Sequence, residues 1–137
     1  MAQVSEELGL PCYIDYQTAV NVSDKRYMKK IFWANNIPTS KYKELKVLDM
    51  EEIKDLKYPL VVKPVDGYSS KGVCRVENEE ELKIRFENAR GISRNGGVIV
   101  EEFCKGEEIS VDVYVENGKA HILCVSNSEK INDKDKF

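Results

Sequence analysis

The sequence has few of the residues that build zinc sites. The chain of 137 residues contains one histidine and four cysteines. The cysteines are far apart and include no C-x-x-C pair: Cys12, Cys74, Cys104 and Cys124. Because a structural zinc site takes four closely placed nitrogen or sulfur ligands, this spacing argues against one. We expect the four thiols to be buried and reduced.

The sequence also lacks an excess of positive charge and a long apolar run. Lysine and arginine number 21 against 24 acidic residues, which gives a formal net charge of −3. No overall positive field is therefore available to attract nucleic acid or an anionic membrane. No apolar stretch approaches the roughly 20 residues that span a bilayer, and the residues after Met1 are not basic. We expect no nucleic-acid or membrane partner and a cytoplasmic location.

The first third of the chain contains signals that begin and end short helices. A first helix is predicted to end at Gly9. Ser23 predicts the N-cap of a second helix. This second helix carries an apolar stripe of Met28, Ile31 and Phe32.

Two capping patterns, each with a glutamate three residues after the capping residue, predict further helices. Asp49, followed three residues later by Glu52, resembles a capping box and predicts a short helix through Leu56. Asn78 and Glu81 have the same spacing and predict a longer helix. Its apolar residues recur at helical spacing: Leu82, Phe86 and Ala89.

The apolar segments between these helices predict an α+β fold. Strands are expected to begin near Leu60, Gly72 and Val98. We expect them to form one two-layer antiparallel sheet with helices on one face. Asn117-Gly118 lies between two alternating segments and predicts a hairpin that begins a second, incomplete subdomain. The polar ending SEKINDKDKF is not expected to pack without further chain.

Lys63 ends the apolar run Leu60-Val61-Val62 and precedes a glycine- and serine-rich loop. A buried ammonium without a partner is costly, so we expect an anion near it. The loop leaves its backbone open to phosphate oxygens through Gly67, Ser69, Ser70 and Gly72. The alternative is an ordinary turn beside a lysine whose head group reaches solvent.

A second segment combines an apolar strand with two acidic pairs. It runs from Val98 to Glu108 and has a short turn at Gly106. A strand of this kind can offer backbone N–H and C=O groups to a purine, and a carboxylate can accept a hydrogen bond from an amine or a ribose hydroxyl. The alternative is a solvated acidic end of a hairpin.

Three segments in this order resemble the nucleotide-binding half of an ATP-grasp ligase: Asp24-Lys25, YPLVVKPVDGYSSKGV and VIVEEFCKGEEISVDVYVENGK. The resemblance covers roughly residues 5 to 137. It is closer to carbamoyl-phosphate-synthetase-like enzymes and amino-acid ligases than to D-alanine:D-alanine ligase and biotin carboxylase. It implies an ATP-grasp fold in which ATP lies between two α+β subdomains.

The resemblance also implies which residues contact the phosphates. Lys63 is in the position of a lysine that contacts the α- and β-phosphates, and the loop from Gly67 to Gly72 is similar to one that folds over them. Lys25, or alternatively Arg26, resembles a second cation on the phosphate side.

On the side of the nucleoside, the resemblance implies three contacts. Glu101 corresponds to an acid near the adenine amine, and Glu102, Phe103 and Cys104 correspond to the backbone segment along the base. Glu108 resembles the acid that binds the ribose. No catalytic residue and no metal ligand is carried over to this chain.

The chemistry that the resemblance implies is the activation of a carboxylate by ATP, giving an acyl phosphate that an amine attacks, with Mg²⁺ bound to the phosphates. The metal ligands of the family would lie beyond Phe137, so the chain is expected to be an inactive fragment. Residues 1–24 resemble the tail of a preceding domain, 25–104 the small subdomain and 105–137 the start of the second. Expected partners are ATP, a carboxylate, an amine and a second copy of the chain. The alternatives are a bicarbonate-activating enzyme and a non-catalytic nucleotide-binding module.

Overall fold

The computed structural model describes residues 1–128. The chain divides into two compact units, of which the first is Met1–Phe103 and the second begins at Cys104. The polar ending that the sequence predicts not to pack falls on residues 128–137, nearly all of which lie outside the described residues.

Three helices precede the first strand: α1 (Ala2–Leu8), α2 (Tyr16–Ser23) and α3 (Lys25–Ala34). The predicted end of α1 is confirmed, because Gly9 adopts the left-handed conformation with φ 63°. Helix α2 was not predicted. Its sequence YQTAVNVS is rich in polar and β-branched residues, and its start depends on Asp15, which accepts a hydrogen bond from the Thr18 N–H at 2.8 Å.

The prediction that Ser23 caps α3 is wrong. Ser23 is the last residue of α2, and its hydroxyl donates to the carbonyl of Ala19 at 2.7 Å. Asp24 is the N-cap instead, since its carboxylate accepts from the Arg26 N–H at 2.9 Å. A carboxylate suits this position because it also interacts favourably with the positive end of the helix dipole.

The first unit contains one four-stranded antiparallel sheet. Its strands are β1 (Tyr42–Leu45), β2 (Leu60–Pro64), β3 (Cys74–Val76) and β4 (Val98–Glu102), in the order β1-β4-β2-β3. The three predicted strands are thus confirmed as neighbours in one sheet. Strand β1 was not predicted, because its four residues YKEL carry little apolar patterning.

Helix α4 (Glu79–Ile92) packs on one face of this sheet. Asn78 caps it by accepting from the Glu81 N–H at 3.0 Å, as the sequence predicts. The buried core between helix and sheet includes Leu60, Val62, Val76, Leu82, Phe86, Ala89, Val98 and Val100. Alternate residues of β2 and β4 therefore face α4.

The short helix predicted from Asp49 is wrong, because residues 50–55 form turns. The Asp49 carboxylate accepts from the Glu51 N–H at 2.9 Å, and the Leu56 N–H donates to the Ile53 carbonyl at 2.9 Å. A segment this short gains too few helical hydrogen bonds to offset the cost of nucleation. Ile53 and Leu56 are nevertheless buried in the core.

The second unit contains a hairpin of β5 (Ile109–Glu116) and β6 (Lys119–Asn127). Asn117 and Gly118 both have positive φ angles, of 51° and 74°, as a two-residue turn of type I′ requires. The predicted hairpin is therefore confirmed.

The four cysteines are free, as predicted, but the expectation that they are buried is wrong: Cys12, Cys104 and Cys124 are exposed, and Cys74 is half-buried. No helix within residues 1–128 is long and apolar enough to cross a membrane.

We predict that Phe86→Ala lowers the free energy of unfolding of this chain by about 3–5 kcal/mol, because Phe86 is fully buried between α4 and the sheet. Urea denaturation followed by circular dichroism measures the change. Ile84→Ala on the same helix is the control, since Ile84 is 62% exposed and its replacement should cost less than about 1 kcal/mol. Equal losses in the two variants would contradict the described orientation of α4.

Candidate functional site

The face of the sheet that points away from α4 carries charged side chains. On β2, Val61 and Lys63 alternate with residues of the core, and on β4, Ile99 and Glu101 do the same. Lys63 is paired with Ile99 and Val61 with Glu101, so the four side chains share this face. We call it the charged face of the sheet.

The anionic partner expected for Lys63 is present within the chain. The Lys63 ammonium contacts Oε1 of Glu101, and the Lys29 ammonium lies 2.7 Å from Oε2 of the same carboxylate. The side chains of these residues are only 6–16% exposed. The attraction of two cations offsets the desolvation cost of burying this carboxylate, which a carboxylate without a partner could not offset.

Lys29 was missed by the sequence analysis, which placed the buried stripe of α3 on its apolar residues. Lys29 is the buried residue of this helix, whereas Ile31 is 46% exposed. The Lys29 ammonium also donates to Thr39 Oγ1 at 2.6 Å and lies 5.2 Å from the ring centroid of Tyr42. The signal that could have found it is its spacing of four residues from Lys25, which puts both lysines on one side of the helix.

Lys25 joins the start of α3 to the loop after β2. Its N–H donates to the Val65 carbonyl at 2.9 Å, and its ammonium donates to the Gly67 carbonyl at 2.7 Å. Burial lowers the pKa of Lys25 below its ordinary value, and the nearby Lys63 ammonium lowers it further, while Asp66 and Asp24 act in the opposite direction. The two lysines proposed for the phosphates therefore lie close enough to repel each other.

Arg26, the alternative to Lys25, is engaged elsewhere. Its guanidinium forms ion pairs with Asp24 at 2.5 Å and with Glu44 at 3.2 Å. The hydrogen bond to Asp24 raises the pKa of Arg26, and hydrogen bonding from Arg26 lowers the pKa of Asp24. Of the two candidates, it is Lys25 that contacts the loop.

The glycine- and serine-rich loop is held at its ends and exposed in its middle. The Asp66 carboxylate accepts from the Arg94 N–H at 3.2 Å. Gly67 is needed because an added Cβ would lie 2.7 Å from Cγ of Pro64. Ser69 and Ser70 are exposed and both have φ 55°, so this turn holds two non-glycine residues in the left-handed region. Gly72 also has a positive φ, of 74°.

The segment after β4 is held by hydrogen bonds to the loop before β2. Glu102 Oε1 accepts from the Lys57 N–H at 3.0 Å, and the Phe103 N–H donates to the Pro59 carbonyl at 2.9 Å. The guanidinium of Arg75 lies 4.5 Å from the ring centroid of Phe103, a cation–π contact that the sequence analysis did not anticipate.

The structure thus brings part of the predicted site together. The first unit contains Lys25, Lys63, Gly67, Ser69, Ser70, Gly72, Glu101, Glu102 and Phe103. Cys104 and Glu108 belong to the second unit, where the Glu108 carbonyl accepts from the Ser128 N–H at 2.8 Å.

The donor set fits a polyphosphate better than it fits a metal. Two ammonium groups and the N–H and hydroxyl groups of an exposed serine-rich turn can donate hydrogen bonds to anionic oxygens. Among residues 1–128, no group of three or more histidine, cysteine, aspartate or glutamate side chains is placed to hold a metal ion.

Comparisons with known proteins give one consistent assignment. The family model described as an ATP-grasp domain matches residues 56–137. D-alanine–D-alanine ligase B of Clostridium perfringens is 35% identical over 94 residues, which cover 66% of this chain and 30% of the relative. This chain therefore spans about a third of the length of that relative.

The solved structures that resemble the chain include two ligases. One is D-alanine–D-alanine ligase from Bacillus anthracis complexed with ATP, with a TM-score of 0.79 and 28% identity over 96% of this chain and 44% of that one. The other is L-amino acid ligase from Bacillus licheniformis, with a TM-score of 0.73 and 29% identity over 92% of this chain and 28% of that one. Because the family model matches more than half of the chain, the chain belongs to the ATP-grasp family.

Proposed function

We propose that this chain binds ATP as part of a ligase that joins a carboxylate to an amine through an acyl phosphate. The observation that carries the proposal is the contact of the Lys25 ammonium with the Gly67 carbonyl, at the start of the loop that exposes Ser69 and Ser70, with the Lys63 ammonium nearby. The mutual repulsion of the two ammonium groups is relieved when a polyanion lies near both, so the free site already favours a polyphosphate.

The proposed contacts follow the arrangement of the first unit. Lys25 and Lys63 bind phosphate oxygens, and the loop from Gly67 to Gly72 folds over them. Glu101 lies near the adenine amine, which its carboxylate can contact once Lys63 has left Oε1.

The segment that follows Glu101 supplies the remaining proposed contacts with the nucleoside. The backbone from Glu102 to Cys104 runs along the base, supported by the hydrogen bonds that hold Glu102 and Phe103 in place. Glu108 accepts hydrogen bonds from the ribose hydroxyls.

The proposed reaction has two steps. A carboxylate oxygen attacks the γ-phosphorus, and the bond from phosphorus to the ADP oxygen breaks. The amine then attacks the carbonyl carbon of the acyl phosphate and inorganic phosphate leaves. Mg²⁺ would bind the phosphates, while residues 1–128 place no group of three or more histidine, cysteine, aspartate or glutamate side chains around a metal position, and the proposed role of this chain is to orient the nucleotide and offset its charge.

The names of the relatives support amino acids as substrates. One relative is named a D-alanine–D-alanine ligase and one similar structure an L-amino acid ligase, and we propose amino acids as the substrate class here rather than bicarbonate. We further propose that residues 1–24 end a preceding domain, that 25–104 form the small subdomain and that 105–137 begin the second. A cytoplasmic location is supported by the use of ATP and by the four free cysteines.

The proposal predicts that two substitutions differ in kind. Lys63→Met should weaken the binding of inorganic tripolyphosphate about tenfold without weakening the binding of adenosine, because Lys63 binds phosphate in the complex and otherwise occupies Oε1 of Glu101, the proposed partner of the adenine amine. Glu108→Ala should weaken the binding of adenosine and leave the affinity for tripolyphosphate unchanged. NMR titrations of residues 1–137 measure both affinities even when they are in the millimolar range.

Lys83→Met is the matched control for Lys63→Met, because Lys83 lies exposed on α4 and pairs with Glu79. It should change neither affinity by more than about twofold. Equal losses for both ligands in both site variants would contradict the separate roles, and a chain that binds neither ATP nor tripolyphosphate would overturn the proposed function.

We also predict that the amides of residues 66–71 exchange with solvent faster than those of β4 and are slowed by MgATP. The middle of this loop is exposed and lacks apolar anchors, so a bound phosphate is expected to order it. Hydrogen exchange read by mass spectrometry tests this, with α4 as an internal control that should not respond. A loop as slow as β4 without nucleotide would contradict a closing role.

Finally, we propose that two copies of residues 1–137 associate through the hairpin. Cross-strand pairing places Val111 beside Val125 and Val113 beside Ile122, and these four side chains are 45–68% exposed. Light scattering should give a mass above that of the monomer, and Val111→Lys should reduce it to the monomer. Ser110→Lys, on the opposite face, is the control that should remain associated; a wild-type monomer would refute the proposal.

A further inference from the structure

Lys29 has no part in the contacts proposed above, although its ammonium is buried on the charged face. Its side chain is 6% exposed and lies 2.7 Å from Oε2 of Glu101. The hydroxyl of Thr39 at 2.6 Å and the ring of Tyr42 hold it on other sides. An ammonium with these contacts is fixed in place and is not available to a ligand.

Lys63 is held much less firmly. Within residues 1–128, Glu101 is the one acidic partner of its ammonium, which contacts Oε1. Its side chain is 16% exposed, and the positive charge of Lys25 lies nearby. Of the two lysines that share Glu101, Lys63 is therefore the one that can move to an incoming anion.

Such a move changes the balance of charge around Glu101. The side chain of Glu101 is 12% exposed, and a buried carboxylate that loses its only cation is strongly destabilised. With Lys29 in place, Glu101 keeps one cation after Lys63 has left. Without Lys29, Lys63 would be the only cation left for Glu101 and would have to stay.

We propose that Lys29 is a positioning residue for nucleotide binding: it neutralises Glu101 so that Lys63 can leave Glu101 and bind the polyphosphate. The inference rests on the proposed function, because it requires a polyphosphate at Lys63. Lys29 itself does not touch the nucleotide.

The test is the substitution Lys29→Met in residues 1–137, followed by NMR titration with tripolyphosphate and, separately, with adenosine. Tripolyphosphate affinity should fall about tenfold, because Lys63 remains bound to Glu101, while adenosine affinity should change less than about twofold. If Lys29 had a purely structural role, Lys29→Met would weaken the binding of both ligands. Lys30→Met removes the same charge from an exposed position of α3 and should have less than a twofold effect on either ligand.

Removal of the carboxylate should remove the need for Lys29. In a Glu101→Gln background, Lys29→Met should therefore change tripolyphosphate affinity by less than about twofold. If Lys29→Met alone does not fold, this double variant still decides the matter: a folded double variant that binds tripolyphosphate as Glu101→Gln does supports the inference, and one that fails to fold or to bind overturns it.

Two outcomes separate this inference from the proposed function. A wild-type chain that binds ATP and tripolyphosphate, together with a Lys29→Met variant of equal affinity, would overturn the role of Lys29 alone. A wild-type chain that binds neither would overturn both.

Discussion

The carboxylate of Glu101, shared between Lys29 and Lys63, is the interaction on which the charged face of the sheet depends. It joins α3 to the sheet, because Lys29 lies on the helix and Glu101 on β4. It also allows two lysines to be buried beside each other, which in the absence of an anion would cost several kcal/mol of desolvation and repulsion. The hydrogen bond from the Lys25 N–H to Val65 attaches the start of the same helix.

The sheet serves two purposes because side chains alternate along a strand. One set of residues on β2 and β4 packs with α4 in the apolar core of the first unit. The other set carries Lys63 and Glu101. Core packing and the proposed binding of an anion thus depend on opposite faces, so we expect substitutions of Lys63 or Glu101 to leave the packing against α4 in place.

Local signals account for the elements that were predicted correctly. The cap at Asn78, the left-handed Gly9 and the Asn117-Gly118 turn each depend on the conformation of a few adjacent residues. The incorrect predictions concern elements whose conformation depends on contacts with residues distant in the sequence. Strand β1 exists because β4 offers it a hydrogen-bonding edge, and the turns at residues 50–55 are held by the burial of Ile53 in the core.

The same division applies to the site. The sequence by itself determined the lysine that ends an apolar strand, the glycine and serine loop after it, and the acidic segment that follows β4, because these are contiguous patterns with a direct chemical meaning. Only the tertiary structure decided that Lys25 rather than Arg26 contacts the loop, that the anion beside Lys63 is Glu101, and that Lys29 shares it. These contacts join residues far apart in the chain, and which groups pair with a buried charge depends on their distances in the folded protein.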